Sequence, residues 1–447
     1  MKRREFFATS AAASLGMITG CTSGGPAGDR PGPASDVTLA GMSPEELREK
    51  YRKDLFDEYL PFWLEYGVDH EFGGVMHGLD HDGTRVNTDK FHWFQGRAVY
   101  GFSYLYNHID PDPLYLEIAQ KTMEFMLAHF PEEPGGIMWA RNVSREGEVL
   151  EPASAEDPFG CYFGIEGMLE LAYATGDEEL RNRALDMYKR ISRFIHSDAV
   201  DHEAFNTYMA DLQIGTQFLR YWEDPEVGAI TARAVDVIMN RFYNPEIRMF
   251  NEILANDLSR MEDERTKANP GHGIEIMWMV MHEAIRLGDQ SLYDLAARRM
   301  MQSLEAGWDF IHDGIVHYIN VGEGCYDWGY EQPMGMPDRF YGTGEYHYMK
   351  SLWSVSEALV ATLNLYVRTG SDRARRYFDM NQKCLDEKFS LRSHGYPLHM
   401  TFTDREISFR PETARKENYH YPRMLMFNLR EIDRLIENDG HPLAEPV

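Results

Sequence analysis

The sequence predicts an all-α protein, a toroid of about six helical hairpins closed as an (α/α)6 barrel. Three observations carry that reading. From Ser43 onward, apolar runs rich in Leu, Tyr and Ala recur at helical spacing, each followed by a second helix such as 180–194 or 292–304. The runs are punctuated by one kind of turn: residues 107–110, Thr175-Gly176-Asp177, Glu223-Asp224-Pro225, Leu287-Gly288-Asp289 and Thr369-Gly370-Ser371. Such turns end one helix and cap the next, and their repeat of about 50 to 80 residues is that of a solenoid or closed ring. Gly and aromatic residues gather in the long connections, where 71–83 and 135–147 read as short β-hairpins with D-G or E-G turns. A chain of 447 residues, 43% apolar and 13% aromatic, suffices for a large core.

The first residues stand apart from the barrel. Arg3 and Arg4 precede Phe6 and Phe7, a small-residue apolar run covers 8–18, and Ile18-Thr19-Gly20-Cys21 follows. The pattern is that of a bacterial twin-arginine signal joined to a lipoprotein cleavage box. The apolar run is too short for a permanent membrane span. Residues 1–20 are therefore expected to be a signal peptide, Cys21 the lipidated first residue of the mature protein, 21–40 a Gly/Pro/Ser-rich tether, and 41–447 the barrel domain, exported and held at the periplasmic or cell-surface side of a membrane. A net charge of −27 argues against nucleic acid or an anionic membrane as main partner. Cys161, Cys325 and Cys384 are too few and too scattered for a disulfide framework or zinc cluster, so buried free thiols are expected.

Taken in order, the barrel holds four stretches with chemistry. His70, His77 and His81 lie in or beside the first hairpin and receive no role. KFHWFQGR, 90–97, opens a helix with Trp93 and Arg97 four apart on one face, an aromatic platform beside a guanidinium suited to a sugar or an oxyanion. An Arg snorkelling at the end of an amphipathic helix fits that stretch equally well.

NPGHGIEIMWMVMHEA, 269–284, places His272 at the mouth of an apolar helix after the Pro270-Gly271 breaker. The helix N-terminus disfavours imidazolium, and Glu275 on the same face favours it, a balance near neutrality useful for moving a proton. A cap or packed histidine is the commoner role for such a residue. His272 and Glu275 also form half of a di-iron pattern; no matching pair accompanies them, and His282-Glu283 lacks the second His of a zinc-protease helix.

KSLWSVSEALVATLNLY, 350–366, sets Trp353 and Glu357 on one face, and a carboxylate among apolar neighbours is costly unless hydrogen-bonded, which marks Glu357 as a pocket residue. The aromatic and charged loop before it, 326–346, could form a lid. ENYHYPRMLMFNL, 417–429, places His420 two residues before Pro422, in extended backbone just before a helix.

KFHWFQGR, NPGHGIEIMW, LWSVSEAL (352–359) and HYPR (420–423) occur in this order, and with them the chain resembles the N-acylglucosamine 2-epimerase superfamily from about residue 47 to about 436. That superfamily has an (α/α)6 fold and includes cellobiose 2-epimerases and mannose isomerases. The resemblance implies His272 and His420 as the acid/base pair. It also implies a sugar site lined by Arg97, Glu275, Glu357 and Arg423, beside the aromatic Trp93 and Trp353. Inversion at carbon 2 of a reducing sugar needs ring opening, removal of a proton next to the aldehyde and its return to the opposite face of an enediolate. One neutral and one protonated histidine serve both directions, and Arg97 would hold the oxyanion. One departure stands out. Cellobiose epimerases and mannose isomerases carry a further histidine in an N-x-x-M-H pattern, and the matching stretch here, 206–210, ends in Ala210. N-acylglucosamine epimerases also lack it, whereas Asp211 and Gln213 stand where that group is more apolar.

The expected activity is interconversion of N-acetylglucosamine and N-acetylmannosamine. Alternatives are cellobiose 2-epimerase or mannose isomerase activity, a glycoside hydrolase using Glu275 with Glu357 or Asp211, or a carbohydrate-binding lipoprotein without catalysis. No cofactor and no metal are expected, and the chain has no G-x-x-x-x-G-K loop for hydrolysing ATP. The expected partners are a small-molecule sugar, the membrane only through a lipid anchor at Cys21, and a second copy of the chain in a homodimer.

Overall fold

The computed structural model describes residues 37–130, 139–153, 158–321, 349–413 and 415–443. Cys21, Cys325 and the 326–346 loop fall outside the described residues. The first helix, α1 (Pro44–Lys53), starts with a capping box between Ser43 and Glu46 and continues through π-type turns and the short α2 (Leu60–Phe62) to Gly67. Five hairpins follow: α3 (His92–His108) with α4 (Pro113–His129), α5 (Phe159–Thr175) with α6 (Glu178–Ile195), α7 (Phe205–Tyr221) with α8 (Pro225–Val237), α9 (Pro270–Leu287) with α10 (Gln290–Gly307), and α11 (Leu352–Thr369) with α12 (Asp372–Cys384). The last helix, α13 (His420–Glu437), pairs with α1, so the sixth hairpin is made from the two ends of the chain.

The repeated turns do the same work each time. Asp112, Asp177, Asp224, Asp289 and Ser371 each accept a backbone N–H from the first turn of the outer helix that follows. Each such cap contributes about 1 kcal/mol. Gly176, Gly288 and Gly370 close the preceding inner helices in the left-handed conformation that a side chain would resist. The inner helices α3, α5, α7, α9, α11 and α13 form a ring in that order, buried along most of their length. It closes where Arg430 of α13 donates to the Tyr104 hydroxyl of α3 at 2.7 Å and Asn418 donates to the Phe94 carbonyl at 3.1 Å.

Short strands fix the open face of the ring. Residues 90–91, 203–204, 267–268 and 350–351 run directly into α3, α7, α9 and α11, pairing antiparallel with 142–143, 253–254, 319–320 and 402–403. Two of these strands are pinned by the same buried cluster. Lys90 meets Asp69 at 2.9 Å and donates to the Gly73 and Arg145 carbonyls, while Arg145 adds a bidentate bond to Asp69. Lys350 meets Asp309 at 3.1 Å and donates to the Asp313 and Arg405 carbonyls, while Arg405 bonds Asp309 at 3.0 Å. An Asp–Lys–Arg staple thus recurs in two of the repeats. Turns form at Asp82-Gly83, under the Leu79–Arg85 bridge, and at Glu146-Gly147, where 142–143 pairs with 149–151, while 135–138 of the second stretch lie outside the described residues. Cys161 and Cys384 are buried, and neither forms a disulfide among the described residues.

Candidate active site

The N-terminal turns of all six inner helices converge on one cavity of about 330 Å³, within the range of small-molecule sites. Trp93 and Arg97 enter from α3, Phe163 and Glu166 from α5, Asn206, Ala210 and Gln213 from α7, His272 and Glu275 from α9, Trp353 from α11, and Tyr419 and His420 from the start of α13. Six helix N-termini aimed at one space give it a positive bias that favours an anionic species.

His272 owes its place to the Asn269 cap, whose side chain accepts the His272 N–H at 3.2 Å. Gly271 lets the Trp353 indole approach, since a Cβ there would lie 2.5 Å from the ring. The partner of His272 is not the one read from the sequence. Its Nδ1 lies 2.7 Å from Oε2 of Glu252, a residue of the loop between the strands 249–250 and 253–254. Glu275, one turn along the helix, reaches Arg423 instead at 2.8 Å and acts on His272 only through space. Burial opposes charge on His272, but Glu252 outweighs it and raises the imidazole pKa above its ordinary value. Nδ1 carries the proton shared with Glu252, leaving Nε2 as the free ring position.

His420 is set in the opposite sense. Its Nδ1 is 2.8 Å from Oε1 of Glu357, a carboxylate with no solvent exposure. Nδ1–H therefore donates, and Nε2 presents a lone pair. Burial, with Arg97 and Arg423 nearby, lowers its pKa to about 3 despite Glu275 and Glu417, so the ring is neutral. Glu357 escapes the penalty of burial because Oε2 accepts from Trp278 at 2.7 Å and Oε1 from Arg423 at 2.8 Å. His420 is the first residue of α13, not a residue of extended chain before it. Glu417 makes this possible by accepting the N–H groups of Tyr419, His420 and Tyr421 at 2.8 to 3.0 Å, and Pro422 has none to satisfy.

Arg97 is the third element. Its guanidinium is caged by the rings of Trp93, Phe163 and Tyr419 at 4.9, 4.1 and 4.5 Å, and its Nη2 is 3.5 Å from Nε2 of His420. No carboxylate pairs with it among the described residues, and burial lowers its pKa to about 10, where it stays charged at neutral pH. A buried, uncompensated guanidinium beside a neutral imidazole is a ready oxyanion site. Trp93 stacks on Phe163 at 5.3 Å, and Trp353 touches both histidines, 5.2 Å from His272 and 5.8 Å from His420.

Two sequence expectations are corrected here. Glu357 and Arg423 do not line the cavity; they stand behind His420 and hold it, because Arg423 bridges Glu275 and Glu357 at 2.8 Å each. Asp211 also turns away. Its carboxylate is held by Tyr162, Ser192 and His196 at 2.8 to 3.0 Å between α7 and α6, so it cannot serve as a glycosidase carboxylate. Glu275, Glu357 and His420 bring three donor atoms within 4.8 Å of one another, but the Arg423 guanidinium already occupies the place a metal cation would take.

The sequence reading missed Glu252, Glu166 and Tyr419. Glu166 bonds the Tyr419 hydroxyl at 2.7 Å and the Gln213 amide, and burial raises its pKa to about 7. The signal that found Glu357, a carboxylate inside an apolar helix, is equally present in FGIEGMLELA and would have found Glu166.

Residues 74–422 match the model of the N-acylglucosamine 2-epimerase family. Over 344 residues the chain is 26% identical to N-acylglucosamine 2-epimerase of Bos taurus, covering 72% of this chain and 76% of that one. It is 23% identical over 353 residues to cellobiose 2-epimerase of Bacteroides fragilis, covering 72% and 82%. Among solved structures, cellobiose 2-epimerase from Bacillus thermoamylovorans superimposes with a TM-score of 0.72 at 16% identity, covering 86% of this chain and 99% of that one. That likeness establishes the (α/α)6 fold.

Proposed function

The chain belongs to the N-acylglucosamine 2-epimerase family, and on that premise we propose that its cavity epimerises a free reducing sugar at carbon 2 by a two-histidine mechanism, with N-acetylglucosamine and N-acetylmannosamine as the preferred pair. The observation that carries this is the opposite protonation of two histidines lining one cavity: His420 neutral, His272 biased toward imidazolium. Environments that push two groups apart in this way assign base and acid.

In the open-chain sugar, Nε2 of His420 removes the proton at carbon 2, and the bond's electrons move onto the aldehyde oxygen. Arg97 and the convergent helix N-termini stabilise the resulting enediolate. Nε2–H of His272 then returns a proton to the other face of carbon 2 as the carbonyl re-forms. The proton gained by His420 is stabilised by Glu357 and by Glu275, whose nearest oxygen is 3.8 Å from Nδ1. In the opposite direction the two rings exchange roles.

Ala210 supports the N-acetyl preference. It lines the cavity between Asn206 and Gln213, so an acetamido methyl would meet a small apolar side chain flanked by amides. The cellobiose 2-epimerase reading keeps the same chemistry, and the mannose isomerase reading keeps the abstraction at carbon 2 but returns the proton to carbon 1 of the enediolate. The test is proton NMR in deuterated water with a panel of reducing sugars. Exchange at carbon 2 with interconversion of N-acetylglucosamine and N-acetylmannosamine is expected. A higher kcat/KM for mannose or cellobiose would reassign the substrate, and cleavage of a glycoside without epimerisation would overturn the mechanism.

Export and anchoring belong to the same reading. The double arginine at Arg3-Arg4 and the Ile18-to-Cys21 box support a lipoprotein whose barrel works outside the cytoplasm, as a monomer or a homodimer. Cys21→Ser is expected to release the protein from the membrane fraction or stall its processing; wild-type protein found wholly in the cytosol would overturn it.

A further inference from the structure

At the opposite end of the barrel, the C-terminal turns of the same six inner helices enclose a second cavity of about 490 Å³, larger than the catalytic one. Its walls carry Arg220, Arg286, Arg368, Arg430 and Arg434, together with Glu431. A basic residue in a last helical turn complements the helix dipole, which accounts for the positions of Arg220, Arg286, Arg368 and Arg434. It does not account for Arg430, a turn deeper in α13, or for the convergence of all five side chains on one space.

The carboxylates sort these cations into two kinds. Glu283 neutralises Arg286 at 2.6 Å and Glu431 neutralises Arg434 at 2.6 Å. Arg220, Arg368 and Arg430 have no carboxylate within ion-pair distance among the described residues. Among the described residues Nη2 of Arg220 lies 3.4 Å from Nδ1 of His282, Arg430 donates to the Tyr104 hydroxyl, and Nε of Arg368 is buried without a hydrogen-bond partner. The field they create is felt by His282, held neutral by burial and then by Arg220, Arg368, Arg434 and Arg430. Beside them Tyr173 and Tyr221 stack at 3.8 Å and form a flat aromatic shelf.

We propose that this rear cavity is a binding site for a doubly charged oxyanion of the phosphate or sulfate class, held by Arg220, Arg368 and Arg430. Three guanidiniums supply more N–H donors than one tetrahedral dianion can accept, and each is charged at any physiological pH. The site is separate from the chemistry: its residues lie on the last turns of helices whose first turns form the catalytic cavity.

The test is calorimetric titration of the full chain with inorganic phosphate and, separately, sulfate, at ionic strength held constant with sodium chloride. Saturable one-to-one binding is expected, weakened at least tenfold by Arg220→Gln/Arg368→Gln and several-fold by the single exposed change Arg430→Gln. Both variants should keep wild-type epimerisation in phosphate-free buffer, which verifies the fold. Arg97→Ala should leave phosphate affinity unchanged. Absence of saturable binding, unaltered affinity in both rear-cavity variants, or loss of binding in Arg97→Ala would each overturn the proposal, the last by moving the anion to the catalytic cavity.

Discussion

Replacing Glu252 by Gln tests the acid half of the mechanism. Glutamine keeps the length of the side chain and can still accept from Nδ1–H of His272 through its amide oxygen, so the ring stays oriented while the charge goes. A carboxylate at hydrogen-bond distance raises an imidazole pKa by about 1 to 3 units. His272 is 24% exposed and Glu252 14%, so solvent screens the pair only partly, and removing the charge lowers the imidazole pKa. Burial then acts against only the weaker influence of Glu275, and the His272 pKa falls below its ordinary value. In the proposed mechanism the working enzyme holds one proton on the histidine pair. Its alkaline limit is therefore set by loss of that proton from His272, and the limit should move to lower pH in Glu252→Gln.

The assay is kcat/KM against pH from acid to alkaline in both directions. The variant should be within a few-fold of wild type at low pH and fall about 10² behind at mildly alkaline pH. A uniform drop with the alkaline limit unmoved would mean that Glu252 only orients the ring. An unchanged profile would remove it from the mechanism.

His272→Asn and His420→Asn should each abolish epimerisation with the fold intact, while one of them still exchanges the carbon 2 hydrogen of a single epimer; near-normal turnover in both would end the two-histidine reading. Arg97→Ala should lower turnover by about 10² or more, whereas a mere packing role would lower the melting temperature and leave kinetics normal. Glu357→Gln, which keeps an acceptor for His420 but leaves Arg423 half-paired, should lower kcat more than it raises KM and shift the acid limb, a change that simple loosening of α13 would not produce. Asp69→Asn should destabilise the barrel by about 3 kcal/mol, read from urea unfolding, because Lys90 and Arg145 lose their carboxylate. Burial works against Asp69, but Arg145 and Lys90 pull its pKa down to about 2, below the unfolded value near 4. Its stabilisation is therefore present above pH 4 and lost as pH falls toward 2, and the variant should lack that acid-sensitive component.

The fold was legible because its punctuation is local. Gly176, Gly288, Gly370 and the capping Asp and Ser residues act within about one helical turn of themselves, so five of the six hairpins can be read without tertiary knowledge. The sixth could not, since α13 finds its partner α1 at the far end of the chain. The site divides the same way. His272, His420, Arg97 and Trp353 sit at helix starts, where sequence announces a boundary, and the cavity is made of those starts. Glu252 lies 20 residues before the histidine it charges and in a loop without periodicity, so the sequence favoured Glu275, the neighbour one helical turn away. Glu275 was claimed by Arg423 across the barrel, a contact that only ring closure creates. Glu357 illustrates a different limit: its costly burial signalled a polar partner, but not which side of His420 the partner would occupy.

The pairing of a neutral and a charged histidine has a consequence for reversibility. Both directions of an epimerisation require the same number of protons on the pair, one, and differ only in which ring carries it. The surroundings favour that proton on His272, beside Glu252, because burial holds His420 neutral. The epimer that presents its carbon 2 hydrogen to His420 thus meets the enzyme already armed, whereas the other must wait for the proton to move to His420. Both directions should then share one pH profile, because total protonation is common to them, yet one draws on the majority form of the free enzyme and the other on the minority form. What makes the minority form accessible is the reaction's own charge. A sugar closing the cavity excludes water, and the developing enediolate beside Arg97 raises the affinity of both rings for a proton. His420, backed by two carboxylates that Arg423 holds in place, is built to accept a charge that it does not carry at rest.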